Sequence, residues 1–211
     1  MTGPYEPPGP DAPAPAARNA RRATAVLRAR SPEECQLYMA LHPCACGERR
    51  FAWSRHYTVP DPGQPDERGE SVYEGDCPGC RQSRRFRFLI PLVPAPSPAF
   101  GGAEPSQIID PAQFLDHYRA AVATVAPDPA QVPAHLLPRQ YALLRTGLAA
   151  LEEVLKFVPP GARAVPAGSF TSAAGAASFA RDPGQFRRER LIALLELHQV
   201  TVAAYARALT R

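Results

Sequence analysis

The chain has 211 residues, of which 26 are proline, and its 24 basic and 20 acidic side chains give a net charge of +4. This length allows one ordinary domain or two small ones, and the proline content predicts that part of the chain lacks regular structure. The charge is spread evenly over both halves and is too small to indicate nucleic-acid binding by itself. No apolar run is long enough to span a membrane, so we expect no membrane partner.

The N-terminal residues 1–18 are rich in proline, alanine and glycine and show no periodic apolar face. This composition predicts a disordered tail. No secretory signal follows Met1, so the five cysteines indicate metal ligands in a reducing compartment rather than a disulfide scaffold. We therefore expect the protein in the cytoplasm.

A first helix is predicted to begin at Ser31. Pro32 suits the first helical position, and Glu34 lies where the acidic member of a capping box is found. The helix is predicted to end at His42, because Pro43 disfavours a helical residue before it.

Three strands are predicted next, within residues 51–59, 71–75 and 84–92, because apolar and polar residues alternate there. One face of the first strand is predicted to carry Phe51, Trp53, Arg55, Tyr57 and Val59. The last strand is predicted to place Phe86, Phe88 and Ile90 on one face and Arg85 and Arg87 on the other.

A linker rich in proline and glycine is predicted over residues 94–109, and helices over residues 110–211. Asp110 is predicted to start the first of these helices, and residues 138–158 form the longest periodic segment. Within that segment, Glu152 and Glu153 are predicted to lie on a solvated face. The helices together predict a small bundle that buries its apolar stripes.

The cysteines form a C-x-C pair, Cys44 and Cys46, followed after 30 residues by a C-x-x-C pair, Cys77 and Cys80. Zinc binds four thiolates tetrahedrally, and two tight turns joined by a small sheet supply that geometry. The pattern resembles zinc-ribbon proteins over residues 44–91. The resemblance implies one structural zinc held by the four cysteines, with His42 as an alternative to one sulfur of the first pair.

Two other interpretations of the cysteines are open. A redox dithiol needs its C-x-x-C at a helix N-terminus, whereas a strand-like segment follows Cys80. The pattern also resembles cytidine deaminases, in which three ligands hold a catalytic zinc and a glutamate transfers protons. That resemblance implies Cys46 and the second pair as ligands and Glu48 as the acid/base, although Asp76 stands where the family has proline.

A cluster of basic residues follows the second cysteine pair, in a region that also contains several aromatic residues. Such a surface binds nucleic acid through phosphate contacts and base stacking in some zinc ribbons. The alternative is that the arginines keep a small aromatic core soluble. The candidate nucleic-acid contacts are Arg81, Arg84, Arg85 and Arg87.

The sequence therefore predicts an α+β fold: a disordered tail (1–18), a helix with an antiparallel zinc-ribbon sheet (19–93), a linker (94–109) and a helical region (110–211). We expect a non-enzymatic zinc-binding module that interacts with a partner protein or acts as a regulator. A nucleic-acid-binding ribbon is the first alternative, and a zinc-dependent deaminase-like enzyme is the second.

Overall fold

The fold is α+β, as the sequence predicts. The computed structural model describes residues 26–210, so the predicted tail lies outside the described residues. The strands are β1 (Leu27–Arg28), β2 (Arg55–Pro60), β3 (Arg68–Asp76) and β4 (Ser83–Pro91). The helices are α1 (Pro32–Leu41), α2 (Pro111–Val122), α3 (Leu137–Lys156), α4 (Ala173–Arg181) and α5 (Arg188–Leu209).

The four strands form one sheet in the order β1-β4-β3-β2. β2, β3 and β4 are an antiparallel meander, and β1 pairs in parallel with β4. One face of the sheet is apolar because Tyr73 lies opposite Phe86 and next to Phe88. Met39 and Cys35 of α1 pack on this face, so the sheet and α1 share a core.

The outer face of β4 carries Arg85 and Arg87, and its inner face carries Phe86 and Phe88, as predicted. The predicted alternation holds within β2, where Arg55, Tyr57 and Val59 share the outer face, but it is wrong before β2, because Phe51 and Trp53 lie on the inner face. Regular pairing begins only at Arg55, which lies opposite Glu74.

A β-bulge explains this difference. The N–H of Ser54 already donates to Glu74 C=O at 2.9 Å, so two consecutive residues oppose Glu74. Such an extra residue interrupts the side-chain alternation. Trp53 and His56 therefore both reach the inner face, where they pack against Tyr73 with ring centroids 5.3 and 4.2 Å away.

Helix α1 starts at the predicted cap but not with the predicted capping box. Ser31 Oγ accepts the N–H of Glu34 at 3.0 Å, as a cap does. The Glu34 carboxylate does not return to Ser31; it accepts the N–H of Arg30 at 2.6 Å. Glu34 is fully buried, so this acid serves an ion pair with Arg30 rather than a reciprocal cap.

The C-terminal half is built on α2, α3 and α5, which pack around an apolar core. Asp110 caps α2, and here the reciprocal bond from Asp110 N–H to Gln113 completes the capping box. Phe100 and Ile109, from the segment before α2, are buried in the same core. Within residues 26–210, no helix is both long and apolar enough to cross a membrane.

A buried ionic cluster joins the two halves of the described chain. Glu153 of α3 lies 2.8 Å from a guanidinium nitrogen of Arg30, which also pairs with Glu34. Lys156, one turn further along α3, contacts the other Glu153 oxygen. The prediction that Glu153 is solvated is therefore wrong: its side chain is 2% exposed, whereas Glu152 is exposed.

Candidate metal centre

The first cysteine pair lies in a tight turn, the first knuckle (residues 44–47), between α1 and the segment that leads to β2. Gly47 N–H donates to Cys44 C=O at 2.8 Å, and Cys44 N–H donates to Glu48 C=O at 2.9 Å. Gly47 has φ +89°, a conformation that an L side chain disfavours. The turn directs both thiols to the same side.

The second cysteine pair lies in the second knuckle (residues 77–81), the turn that joins β3 to β4. Arg81 N–H donates to Cys77 C=O, and Cys77 N–H donates to Gln82 C=O, both at 2.9 Å. Arg81 has φ +62°. Each knuckle is thus closed by its first cysteine N–H, and each has a left-handed residue directly after its second cysteine.

The two knuckles bring all four thiols together. The Sγ atoms of Cys44 and Cys80 are 3.6 Å apart. Those of Cys46 and Cys77 are also 3.6 Å apart, and all four lie within 4.8 Å of one another. A tetrahedron with metal–sulfur distances of about 2.3 Å has edges of about 3.8 Å. The donor set therefore fits one tetrahedral thiolate-bound metal ion, such as zinc.

The electrostatics of the second knuckle favour ionisation of Cys77. Its burial opposes the thiolate, but backbone N–H groups of Cys80 and Gly79, with the thiols of the first pair, lower the pKa of Cys77 to about 7. A backbone bond from Gln82 favours the Cys80 thiolate, but the three neighbouring thiols raise the Cys80 pKa to about 12. A metal ion is what allows several adjacent thiols to ionise together.

The fifth cysteine, Cys35, and the alternative ligand His42 both lie outside the thiol cluster. Cys35 is fully buried against the sheet, and burial together with the Glu34 carboxylate raises its pKa, so it is a neutral core thiol. His42 Nδ1–H donates to Tyr38 C=O at 2.7 Å, and its ring stacks on Tyr38. His42 therefore stabilises the end of α1.

Glu48, the candidate acid/base, is turned towards Arg50. Its carboxylate accepts the Arg50 backbone N–H at 2.9 Å and pairs with the Arg50 guanidinium at 3.3 Å. Hydrogen bonds from the Arg50 side chain and backbone lower the pKa of Glu48. A general acid needs the opposite shift, towards neutral pH.

The candidate nucleic-acid contacts are divided between two faces of the sheet. Arg85 pairs with Glu74 at 3.1 Å, and Arg87 pairs with Glu70 at 2.6 Å on the outer face. Arg84 lies on the inner side.

The Arg84 guanidinium stacks over Phe51 and Phe86, 4.9 and 5.0 Å from their ring centroids. It also donates to His42 C=O, while its buried Nη1 has no hydrogen-bond partner among the described residues. Its contacts join α1 to the sheet beside the knuckles. Arg81 is exposed on the second knuckle.

Two contacts of the thiol cluster were not anticipated from the sequence. Gln82 Oε1 lies 3.8 Å from Cys44 Sγ, so it can accept a bond from that thiol. A Cβ at Gly79 would lie 3.3 Å from Glu48 Cβ and 3.5 Å from Cys46 Sγ, so a larger residue here would need a small shift of the Glu48 side chain. The one signal in the sequence for either residue is its position, since Gly79 lies between the second pair and Gln82 lies two residues after it.

A cavity of about 680 Å³ lies at the start of α5 and is lined by residues of the C-terminal half. Arg188, on its wall, donates to the carbonyls of Val158 and Pro159 and so ties α5 to the end of α3. We assign this cavity no part in the metal centre. Comparison with known protein families, curated proteins and solved structures finds no match for this chain.

Proposed function

We propose that this protein is a non-enzymatic zinc module in which the four cysteines hold one structural zinc and fix a zinc-ribbon sheet for binding a partner protein. The observation that carries the proposal is the clustering of four thiols within 4.8 Å, with 3.6 Å between the paired sulfurs. Four sulfurs complete the tetrahedral sphere of zinc and leave no position for a reactive water.

The surroundings of the thiols support a structural role. Glu48 is held by Arg50 and its pKa is lowered, which disfavours proton delivery. A reducing compartment such as the cytoplasm would keep the four thiols available to the metal. We also propose that residues 19–93 and 110–211 are separate folding units, joined by residues 94–109.

Binding to a protein rather than to nucleic acid is favoured by the pairing of the basic cluster. Arg87 is held by Glu70 through two hydrogen bonds and is 28% exposed, and Arg84 lies against the aromatic core, which reduces the attraction of both for phosphate. Nucleic-acid binding stays the first alternative because Arg81 is exposed.

X-ray absorption on the zinc-loaded protein tests the metal assignment. We expect one zinc per chain with four sulfur neighbours at about 2.3 Å. A shell of three sulfurs and one oxygen would contradict the structural role and would favour the deaminase-like alternative, which ammonia release from cytidine then tests directly. Glu48→Ala should leave the zinc content unchanged.

A further inference from the structure

The sheet has an uncovered edge at β2. In the order β1-β4-β3-β2, β2 has a neighbour on one side only among the described strands. Asp61 N–H donates to Arg68 C=O, and in an antiparallel pair successive residues alternate between facing the partner strand and facing away. The backbone N–H groups of His56 and Thr58 therefore point outward, towards solvent.

The segment before β2 continues this edge. Residues 49–53 have no regular secondary structure, and none of their backbone groups bonds to another described backbone group. The N–H groups at the start of this segment are exceptions: that of Arg50 bonds to the Glu48 side chain, and that of Arg49 also interacts with this carboxylate. Together with β2, this segment forms a surface that we call the β2 edge (residues 49–60). Unpaired backbone at a sheet edge is a template for an added strand.

A pocket of about 450 Å³ opens beside the β2 edge, between the edge and α1. Met39, Phe51 and Trp53 supply its apolar lining, and Arg49 and Arg50 also line it. Trp53 packs one side against Tyr73 yet remains 40% exposed, an unusual exposure for an indole held in place by the core. Anchored aromatic side chains of this type dominate many binding interfaces.

The charges along the β2 edge favour an acidic occupant. Arg49 is exposed, and no side-chain partner of its guanidinium is found among the described residues. Arg50 and Arg55 are also mostly exposed, at 80% and 74%, so their pairs with Glu48 and Glu74 leave them open to further carboxylates. Three cations thus line one edge, and complementary charge governs which partner docks there.

We propose that the β2 edge binds an extended, acidic segment of a partner protein by strand addition. The segment places one apolar side chain in the Met39–Phe51–Trp53 pocket and its carboxylates near Arg49 and Arg55. Backbone hydrogen bonds supply affinity in this mode, and the pocket and the charges supply specificity. The inference rests on the proposed interaction function and assigns it a surface and a partner chemistry.

Trp53 makes the test direct because it is the one tryptophan of the chain. A phage library of random dodecapeptides is selected on the zinc-loaded full chain, and the enriched peptides are synthesised and titrated against it. We expect the enriched peptides to share an aromatic or aliphatic residue flanked by aspartate or glutamate. Their binding should cause a saturable change in Trp53 emission and should slow amide hydrogen exchange within residues 49–60.

Arg49→Glu should weaken the affinity for these peptides at least tenfold. The matched control is Arg139→Glu, which makes the same charge change at an exposed position of α3 and should leave the affinity unchanged. Some peptides could bind the Arg49→Glu variant as tightly as the unchanged protein and leave Trp53 emission unchanged. That result would overturn the β2 edge as the binding surface while leaving the proposed interaction function intact. If the library yields no enriched peptide, and a thymidine 20-mer quenches Trp53 emission in a salt-sensitive way, both the β2-edge proposal and the protein-interaction function are overturned in favour of nucleic-acid binding.

Discussion

Gly47 and Arg81 occupy equivalent positions in the two knuckles, with φ of +89° and +62°. Glycine adopts this region freely, whereas an L side chain pays about 1–2 kcal/mol for it. Arg81 therefore stores strain in the second knuckle. The turn keeps the conformation because the N–H groups of Arg81 and Cys77 are both bonded across it.

At Arg81, we expect Arg81→Gly to be more stable than Arg81→Ala by about 0.5–1 kcal/mol. Both variants lose the arginine side chain, but glycine alone relieves the backbone strain, and its greater freedom in the unfolded chain offsets part of the gain. Denaturant unfolding of the two zinc-loaded variants measures the difference. Equal stabilities would show that the turn is unstrained.

At Glu153, we expect Glu153→Gln to lower the free energy of unfolding by about 3 kcal/mol, because it leaves Lys156 without a carboxylate partner and leaves Arg30 with Glu34 alone. Glu152→Gln is the matched control, since the neighbouring side chain is exposed, and it should change stability by less than about 0.5 kcal/mol. Similar losses in both variants would show that the ionic cluster adds nothing.

At the scale of elements, local signals predicted the helices well and the strand faces less well. Asp110 with Gln113 is a complete capping box, and α2 begins where this pattern places it. The bulge at Ser54 has no local signal, because it depends on which β3 residue faces the strand. Glu34 likewise carries the sequence of a capping box, but a long-range contact between Arg30 and α3 draws its carboxylate away.

Gly75 lies where β3 and the segment before β2 approach each other closely, so a substitution there tests this contact. A Cβ at this position would lie 2.5 Å from Ala52 O and 2.9 Å from Trp53 Cα, so Gly75→Ala must push backbone apart. We expect a loss of about 2 kcal/mol and a shift of Trp53 emission. Gly102→Ala, whose Cβ would meet nothing within 4 Å, is the control and should alter neither.

At the scale of the whole molecule, the cysteine spacing predicted which four thiols meet, because ligand chemistry restricts the geometry so strongly. It did not predict how the halves join. Leu37 of α1 belongs to the helical core, whereas Met39 of the same helix belongs to the sheet core. The apolar pattern of one helix does not show that its residues pack into two different cores.

Removing the proposed zinc should affect the two halves unequally. Structural zinc supplies about 10–16 kcal/mol in small modules, whereas α2, α3 and α5 pack around a continuous apolar core to which α1 adds Leu37. We expect a chelator, or Cys77→Ser, to disorder residues 44–91 while most helical circular dichroism remains.

Cys35→Ala, which removes a thiol outside the cluster, should keep the metal and the sheet. Loss of the helices together with the sheet would instead show that α1 makes the two cores one cooperative unit.

The chain positions of the ligands also set an order of assembly. Both cysteine pairs are nearly adjacent in the chain, but only Cys77 and Cys80 lie in the turn of a hairpin, β3–β4, that forms from local contacts, whereas the first pair precedes the irregular segment 49–53. Cys46 reaches its partner Cys77 only across a separation of 31 residues, and closing so long a loop is slower and costlier than closing a short one. We therefore expect the β3–β4 hairpin to capture the ion first, and β2 to be the last strand to join the sheet during folding.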